Sequence, residues 1–266
     1  MTLRDTAIAA ARAAGEIQKR LYGTLLHVDH SARNDVKLEA DRLCEQAIID
    51  TIRRDWPDHA ILTEERGAVD AEGEMQWIID PLDGTVNFYY GLPYFCTSVA
   101  CYRRPQEGAA DSPRTLTSLG EPVVGVVYAP PTDELFVGEA GKGAEMNGET
   151  IQTSPIERLA ESLVTIGFGG RPGLTEHFAA QAAKIEPRVR KLRCMGAAAY
   201  DLCNVACGRL TGFYEKGLHV WDFAAGRIIL EEAGAVIDTF EYEPENWILL
   251  AAAPGVYDEL HAITRD

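Results

Sequence analysis

Asp80 and Asp83 lie three residues apart in the stretch Trp77-Ile78-Ile79-Asp80-Pro81-Leu82-Asp83-Gly84-Thr85-Val86-Asn87-Phe88. The apolar run Trp77 to Ile79 predicts a buried strand that stops at Asp80-Pro81. A tight turn beyond it would aim both carboxylates at one point. Gly84 lets backbone approach a ligand closely, and Thr85 adds a hydroxyl beside it. Two hard oxygen ligands, bare backbone and a hydroxyl together point to Mg²⁺ and a phosphate. Asp-Pro-Leu-Asp-Gly alone is also a good turn sequence. The flanking strand and the following Asn87-Phe88 favour the chemical reading.

Asp80-Pro81-Leu82-Asp83-Gly84-Thr85-x-Asn87-Phe88 resembles the first signature of the inositol monophosphatase family, Mg²⁺-dependent and Li⁺-sensitive phosphatases. Trp221-Asp222-Phe223-Ala224-Ala225-Gly226 resembles the second, with Glu64-Glu65 upstream of both. The resemblance covers nearly the whole chain. It implies a layered αβαβα sandwich of the sugar-phosphatase type, and a metal set of Glu64, Asp80, Leu82, Asp83 and Asp222. Three Mg²⁺, the number it implies, outweigh four ionised carboxylates by two positive charges, which suits a phosphomonoester dianion. Asp222 stands at the start of a helical run, where a cap worth about 1 kcal/mol is the plain alternative. Trp221 reads as packing.

By the same resemblance, Glu64 and Thr85 orient a metal-activated water for in-line attack, with Asp41 behind Thr85. Gly84 and Thr85 offer N–H groups to phosphate at a helix start. Gly196, Ala197, Ala198 and Glu215 match substrate-binding positions, joined by Asp222. The implied function is hydrolysis of a small phosphate monoester, with myo-inositol 1-phosphate the leading candidate. Histidinol phosphate, another sugar phosphate, NADP or a 3′-phosphonucleotide are the alternatives. Val86 after the signature threonine disfavours the nucleotide branch, whose members usually carry lysine there. His30, Lys37, Glu39 and Thr63 depart from the family's usual residues. Relatives are commonly homodimers, so a homodimer is expected. A regulatory binding module would be marked by a lost metal ligand, and none is lost.

The elements that must position these residues follow from periodicity and punctuation. Leu3, Ala7, Ala10, Ala14, Ile17 and Leu21 predict an amphipathic helix capped by Thr2. A polar link through His27, His30 and Arg33 leads to a second helix, which runs to Arg54. Strands are expected at 60–62, 93–103, 122–128 and 134–139, with a surface loop at 104–121. Ser154-Pro155 is the expected boundary between an N-terminal α+β domain (1–153) and a C-terminal α/β domain (154–266). In the second, strands at 163–168, 189–194, 211–215 and 247–252 alternate with helices at 175–184, 197–206 and 222–232. A last helix starts near Pro254.

Composition bounds the rest. The 266 residues are 46% hydrophobic and 25% charged, enough for well-buried cores and unlike a disordered chain. A net charge of −16 argues against a nucleic-acid groove. No membrane-length apolar run or secretory pattern appears, so a cytoplasmic location and no membrane partner are expected. The six cysteines lack a Cys-x-x-Cys pair and read as reduced thiols. No zinc spacing, calcium loop or Ser-His-Asp arrangement is recognisable.

Overall fold

A computed structural model of the chain describes residues 1–24, 28–32, 35–69, 71, 73–105, 119–168 and 173–265, with backbone alone at 28–32, 35–37 and 168. The first half carries α1 (Leu3–Leu21), β1 (Val28–Ala32), β2 (Asp35–Leu38), α2 (Glu39–Asp55), β3 (Ala60–Thr63), β4 (Gly67–Val69), β5 (Met75–Asp83) and α3 (Thr85–Tyr89). It continues with β6 (Cys96–Arg103), β7 (Glu121–Ala129), β8 (Glu134–Glu139), β9 (Gly143–Met146) and β10 (Glu149–Thr150). The second half carries β11 (Leu163–Phe168), α4 (Leu174–Ile185), β12 (Lys191–Arg193), α5 (Ala198–Ala206), β13 (Gly212–Leu218), α6 (Val220–Glu232), β14 (Val236–Glu243), β15 (Asn246–Ala252) and α7 (Pro254–Thr264).

An eight-stranded sheet has the order β10-β9-β8-β7-β6-β5-β3-β4, and a five-stranded sheet the order β12-β11-β13-β15-β14. The changeover between them falls between Thr150 and Leu163. Alternation along the strands shows how the layers stack. On β5, Trp77 and Ile79 face α1 and α2, whereas Ile78 faces α5 and α6. On β15, Leu249 and Ala251 face that same helix pair, and Leu250 and Ala252 face α7. Both sheets are therefore covered on both faces, which is why their strands read as continuous apolar runs. The result is the αβαβα sandwich, with α5 and α6 as the middle layer.

Local chemistry supports each layer. Thr2 and Asp5 form a reciprocal capping box on α1, each bond 3.1 Å. Ala7, Ala10, Ala11 and Ala14 are fully buried, letting α1 lie close over the sheet. Helix α6 approaches closer still. A Cβ on Gly125 would lie 2.5 Å from the Ala225 carbonyl oxygen, and one on Gly138 2.8 Å from the Ile229 Cα. Tyr102, fully buried on β6, donates to the Ala224 carbonyl at 2.9 Å. The helix carrying Asp222 is thus seated on the first sheet although it arises in the second half.

Several elements differ from expectation. The strand through Trp77 continues past Asp80-Pro81 to Asp83, because the β5–β6 register shifts between Asp80 and Asp83. Proline fits such a bulge, where no ladder donor is needed. The link after α1 contains the β1–β2 hairpin, in which His30 and Lys37 are register partners. Strands β4 and β14 were also unexpected, and both are sheet edges. His27, Arg33 and most of the 104–121 loop lie outside the described residues. Four cysteines are buried, Cys207 is half-buried and Cys194 exposed, and all six are free thiols. No helix among the described residues is long and apolar enough to cross a membrane.

Candidate active site

The bulge at the end of β5 does the first piece of work. In a regular strand, residues three apart point to opposite faces. The register shift between Asp80 and Asp83 breaks that alternation. Asp80 is 2% exposed and Asp83 9%. Burial, then the charges of Glu64, Asp83 and Asp222, push the Asp80 carboxyl well above its ordinary range. Those three carboxylates, from the turn after β3, the end of β5 and the first turn of α6, therefore share one field.

Asp80, Asp83 and Asp222 are each held by backbone contacts. Asp80 Oδ1 accepts from the Leu82 N–H at 3.0 Å. Asp83 accepts from Ala198 and Ala199 N–H at 3.1 and 2.8 Å, at the start of α5, and lies 3.5 Å from Cys96 Sγ. Burial still raises Asp83 to about 6, against the opposing pull of those donors. Asp222 is the third residue of α6, and its Oδ2 accepts from the His219 N–H at 2.7 Å. It completes a capping box while lying beside Asp80. Trp221 is half-buried and stacks on His219, ring centroids 4.7 Å apart.

Among the described residues, no lysine, arginine or histidine forms an ion pair with Asp80 or Asp83. A buried carboxylate without a cation costs several kcal/mol. Each fully buried leucine or isoleucine contributes about 1.5–3 kcal/mol, so the surrounding core can offset that cost. Among the described residues no group of three or more His, Cys, Asp or Glu side chains stands ready to hold a metal ion. The donor set nevertheless fits a hard divalent cation: carboxylate oxygens, buried on Asp80 and Asp83 and half-buried on Glu64 and Asp222, mutually repelling and, among the described residues, without a basic side chain on Asp80 or Asp83. Leu82 could contribute only its backbone carbonyl, because its side chain is buried with Phe88 and Phe95.

Gly84 and Thr85 border this cluster. Gly84 has φ +87° and precedes α3, whose first residue, Thr85, has no intrahelical acceptor for its N–H. Helix α3 spans five residues, so local N–H groups matter more there than a macrodipole. The Thr85 hydroxyl lies 2.8 Å from the Leu82 carbonyl and 3.2 Å from Asp41 Oδ1. One hydroxyl proton serves only one of these acceptors at a time. Asp41, buried on α2, also accepts from the Leu38 N–H at 2.6 Å. Burial, opposed by that bond, raises Asp41 to about 7.

Other residues of the site make contacts that the sequence does not signal. Glu45 is fully buried and accepts from the Thr63 hydroxyl at 2.6 Å and the Arg66 N–H at 3.2 Å. The Arg66 guanidinium pairs with it at 2.7 Å. Glu45 thereby clamps both ends of the turn that presents Glu64, and Thr63 has a reason to be threonine. A glutamate on the apolar face with Cys44, Ile48 and Ile52 was the available clue. Asn87 Nδ2 lies 2.8 Å from the Tyr94 carbonyl and 2.9 Å from that of Met195. It ties the segment after α3 to the Met195-Gly196 turn. Asp201 accepts from Tyr94 and Thr165 hydroxyls at 2.5 and 3.0 Å, and burial raises it to about 7.

The substrate candidates are less uniform. Gly196 is exposed and has φ +81°, Ala197 is buried, and the Ala198 N–H is engaged by Asp83. Glu215 sits in the middle of β13, not at its end, and is half-buried. Burial, then the charges of Asp222, Asp201 and Asp83, raise it well above its ordinary range. Lys216 lies over the Tyr242 ring at 4.4 Å instead of pairing with it. The side chains of His30 and Lys37 lie outside the described residues.

Comparisons with known proteins agree with this architecture. The inositol monophosphatase family profile matches residues 1–265. Nus factor SuhB of Pasteurella multocida is 37% identical over 265 residues, covering 96% of this chain and 93% of that protein. Inositol monophosphatase 2 of Solanum lycopersicum is 36% identical over 241 residues, covering 88% of this chain and 85% of that protein. The solved inositol monophosphatase from Anabaena superposes with a TM-score of 0.81 at 32% identity, over 98% of this chain and 94% of that one. Extragenic suppressor protein suhB of Bartonella henselae gives 0.86 at 30% identity, over 98% of both chains. With its profile matched from end to end, the chain belongs to the inositol monophosphatase family.

Proposed function

We propose that this protein is a Mg²⁺-dependent phosphatase of small phosphate monoesters, with myo-inositol 1-phosphate as the leading substrate. The observation that carries the reading is the buried pair Asp80 and Asp83, with Glu64 and Asp222 in the same field and, among the described residues, no basic partner on the pair. Glu64, Asp80, Asp83, Asp222 and the Leu82 carbonyl would hold the cations. When bound, Mg²⁺ supplies Lewis acidity that activates water and offsets charge on the leaving oxygen. The protein's own part is placement. The Gly84 and Thr85 N–H groups would bind the phosphate oxygens. The Thr85 hydroxyl and Glu64 orient the attacking water, and Asp41 holds the threonine rotamer. No side chain needs to form a covalent intermediate.

The name Nus factor carried by the SuhB relatives raises a regulatory binding role as the alternative. The complete set of four carboxylates on this chain favours hydrolysis. The cytoplasmic location, lithium sensitivity and homodimer belong to the same reading.

Recognition of the alcohol is assigned to Glu215, accepting from polyol hydroxyls with Gly196 and Ala197 nearby. Charge-assisted bonds of this kind contribute roughly 1.5–3 kcal/mol. Glu215→Gln keeps the shape and weakens them, so kcat/KM for inositol 1-phosphate should fall ~10-fold relative to kcat/KM for p-nitrophenyl phosphate. Phosphate release from both substrates in Mg²⁺ measures this. An equal loss on the two substrates would mean Glu215 supports the metal site, and no loss on either would remove it from recognition.

A further inference from the structure

Glu215 owes its position to a residue on the neighbouring strand. Strands β11 and β13 run parallel and pair Gly167 with Glu215, so a side chain at 167 would project from the same face as Glu215. Gly167 has none, and the Glu215 carboxylate fills the space. A Cβ built on Gly167 would lie 2.1 Å from Glu215 Oε2, 2.4 Å from its Cδ and 2.8 Å from its Oε1. The three nearest atoms all belong to the end of that one side chain. One alternation earlier on β11, the Thr165 hydroxyl is committed to Asp201 at 3.0 Å. The carboxylate therefore lies across β11 at the one place on this face where the neighbouring strand offers no side chain.

We propose that Gly167 is a specificity-determining positioning residue, whose missing side chain lets the Glu215 carboxylate bend over β11 and meet the hydroxyls of a polyol phosphate. This rests on the reading of Glu215 given above. The strand does not need glycine for its backbone, because Gly167 is not among the residues of positive φ. The three atoms an alanine would meet first are the end of a flexible glutamate, so the glutamate moves and the strand stays. A methyl group at 167 is thus a remote way to misplace a carboxylate without deleting it.

The test is a double-mutant cycle of Gly167→Ala and Glu215→Ala, read as kcat and KM for inositol 1-phosphate and p-nitrophenyl phosphate in Mg²⁺. Gly167→Ala should lower the preference for inositol 1-phosphate ~10-fold, mainly through a higher KM, because uniform binding is what is lost. On the Glu215→Ala background the same substitution should change the preference less than ~2-fold, because no carboxylate remains to be displaced. If Gly167→Ala alone fails to fold, the double variant should recover the folded state, measured by thermal unfolding. Equal losses on the two substrates, equal effects on both backgrounds or, where Gly167→Ala alone fails to fold, a double variant that also fails to fold would each overturn the proposal. Failure of the underlying reading looks different: Glu215→Gln itself would then leave the substrate preference unchanged.

Discussion

Asp80→Asn should lower kcat by at least ~10²-fold in saturating Mg²⁺ while leaving the metal-free protein as stable as the parent, or more so. Asp80 is 2% exposed and feels Glu64, Asp83 and Asp222 without a basic partner among the described residues. Removing its charge relieves repulsion in the empty cluster, and an asparagine oxygen can still accept from the Leu82 N–H. The same change removes a ligand charge. Loss of an outer partner of a metal ligand typically costs 10–100-fold, so loss of a ligand itself should cost at least ~10²-fold. Asp222→Asn should behave alike in kcat. Rates in Mg²⁺ together with thermal unfolding in EDTA check both halves. A variant that is both active and destabilised would make Asp80 a structural carboxylate.

Gly84→Ala should damage stability and activity together. The residue sits at φ +87°, where an L side chain costs about 1–2 kcal/mol. Its Cβ would also meet the Tyr94 carbonyl oxygen at 2.9 Å, the Ala197 Cβ at 3.1 Å and the Phe95 Cα at 3.3 Å. None of these is the end of a flexible chain, so the backbone between Asp83 and Thr85 must shift. With about 1–3 kcal/mol for the overpacking, a total of about 2–5 kcal/mol follows, equivalent to a Tm lower by roughly 4–20 °C for a chain of this size. Displacing Thr85 and Asp83 should also cost ~10-fold or more in kcat/KM below the new Tm. Thermal unfolding and steady-state rates at one temperature measure both. Gly91→Ala is the control, because φ there is +72° and no atom lies within 4 Å of the added methyl group. If both variants lost the same stability, the close approach at Gly84 would carry no weight.

The contrast between these two sites shows what the sequence could and could not tell. Asp80, Asp83, Gly84 and Thr85 are contiguous, so their types and spacing were readable directly. The bulge that turns Asp80 and Asp83 off strict alternation was not, because Asp-Pro in one strand reads as a stop. It depends on the register with β6, a partner strand 13 or more residues further on. Glu45 and Asp201 escape for the same reason, as do the partners of Asn87, which is legible only as part of the signature. Each acts through tertiary contacts, Glu45 on Thr63 and Arg66, Asn87 on Tyr94 and Met195, Asp201 on Tyr94 and Thr165. Strands covered on both faces, such as β11 and β15, were legible as apolar runs at nearly their true bounds. Edge strand β14 is not legible in the same way, since half-buried residues mixed with Asp and Glu give a weaker pattern. Glu215 ends the strand expected at 211–215, yet β13 runs on to Leu218 through an irregular register with β15.

Everything proposed for catalysis depends on cations among Glu64, Asp80, Asp83 and Asp222. The most direct measurement is phosphate release from inositol 1-phosphate by protein stripped with EDTA and then titrated with Mg²⁺, in parallel with calorimetry of Mg²⁺ binding to parent and Asp80→Asn. No turnover is expected in EDTA, with recovery that follows Mg²⁺ occupancy and binding weakened by at least ~10-fold in the variant, as removal of a direct ligand requires. Full turnover in EDTA, or Mg²⁺ binding untouched by Asp80→Asn, would contradict that dependence on cations.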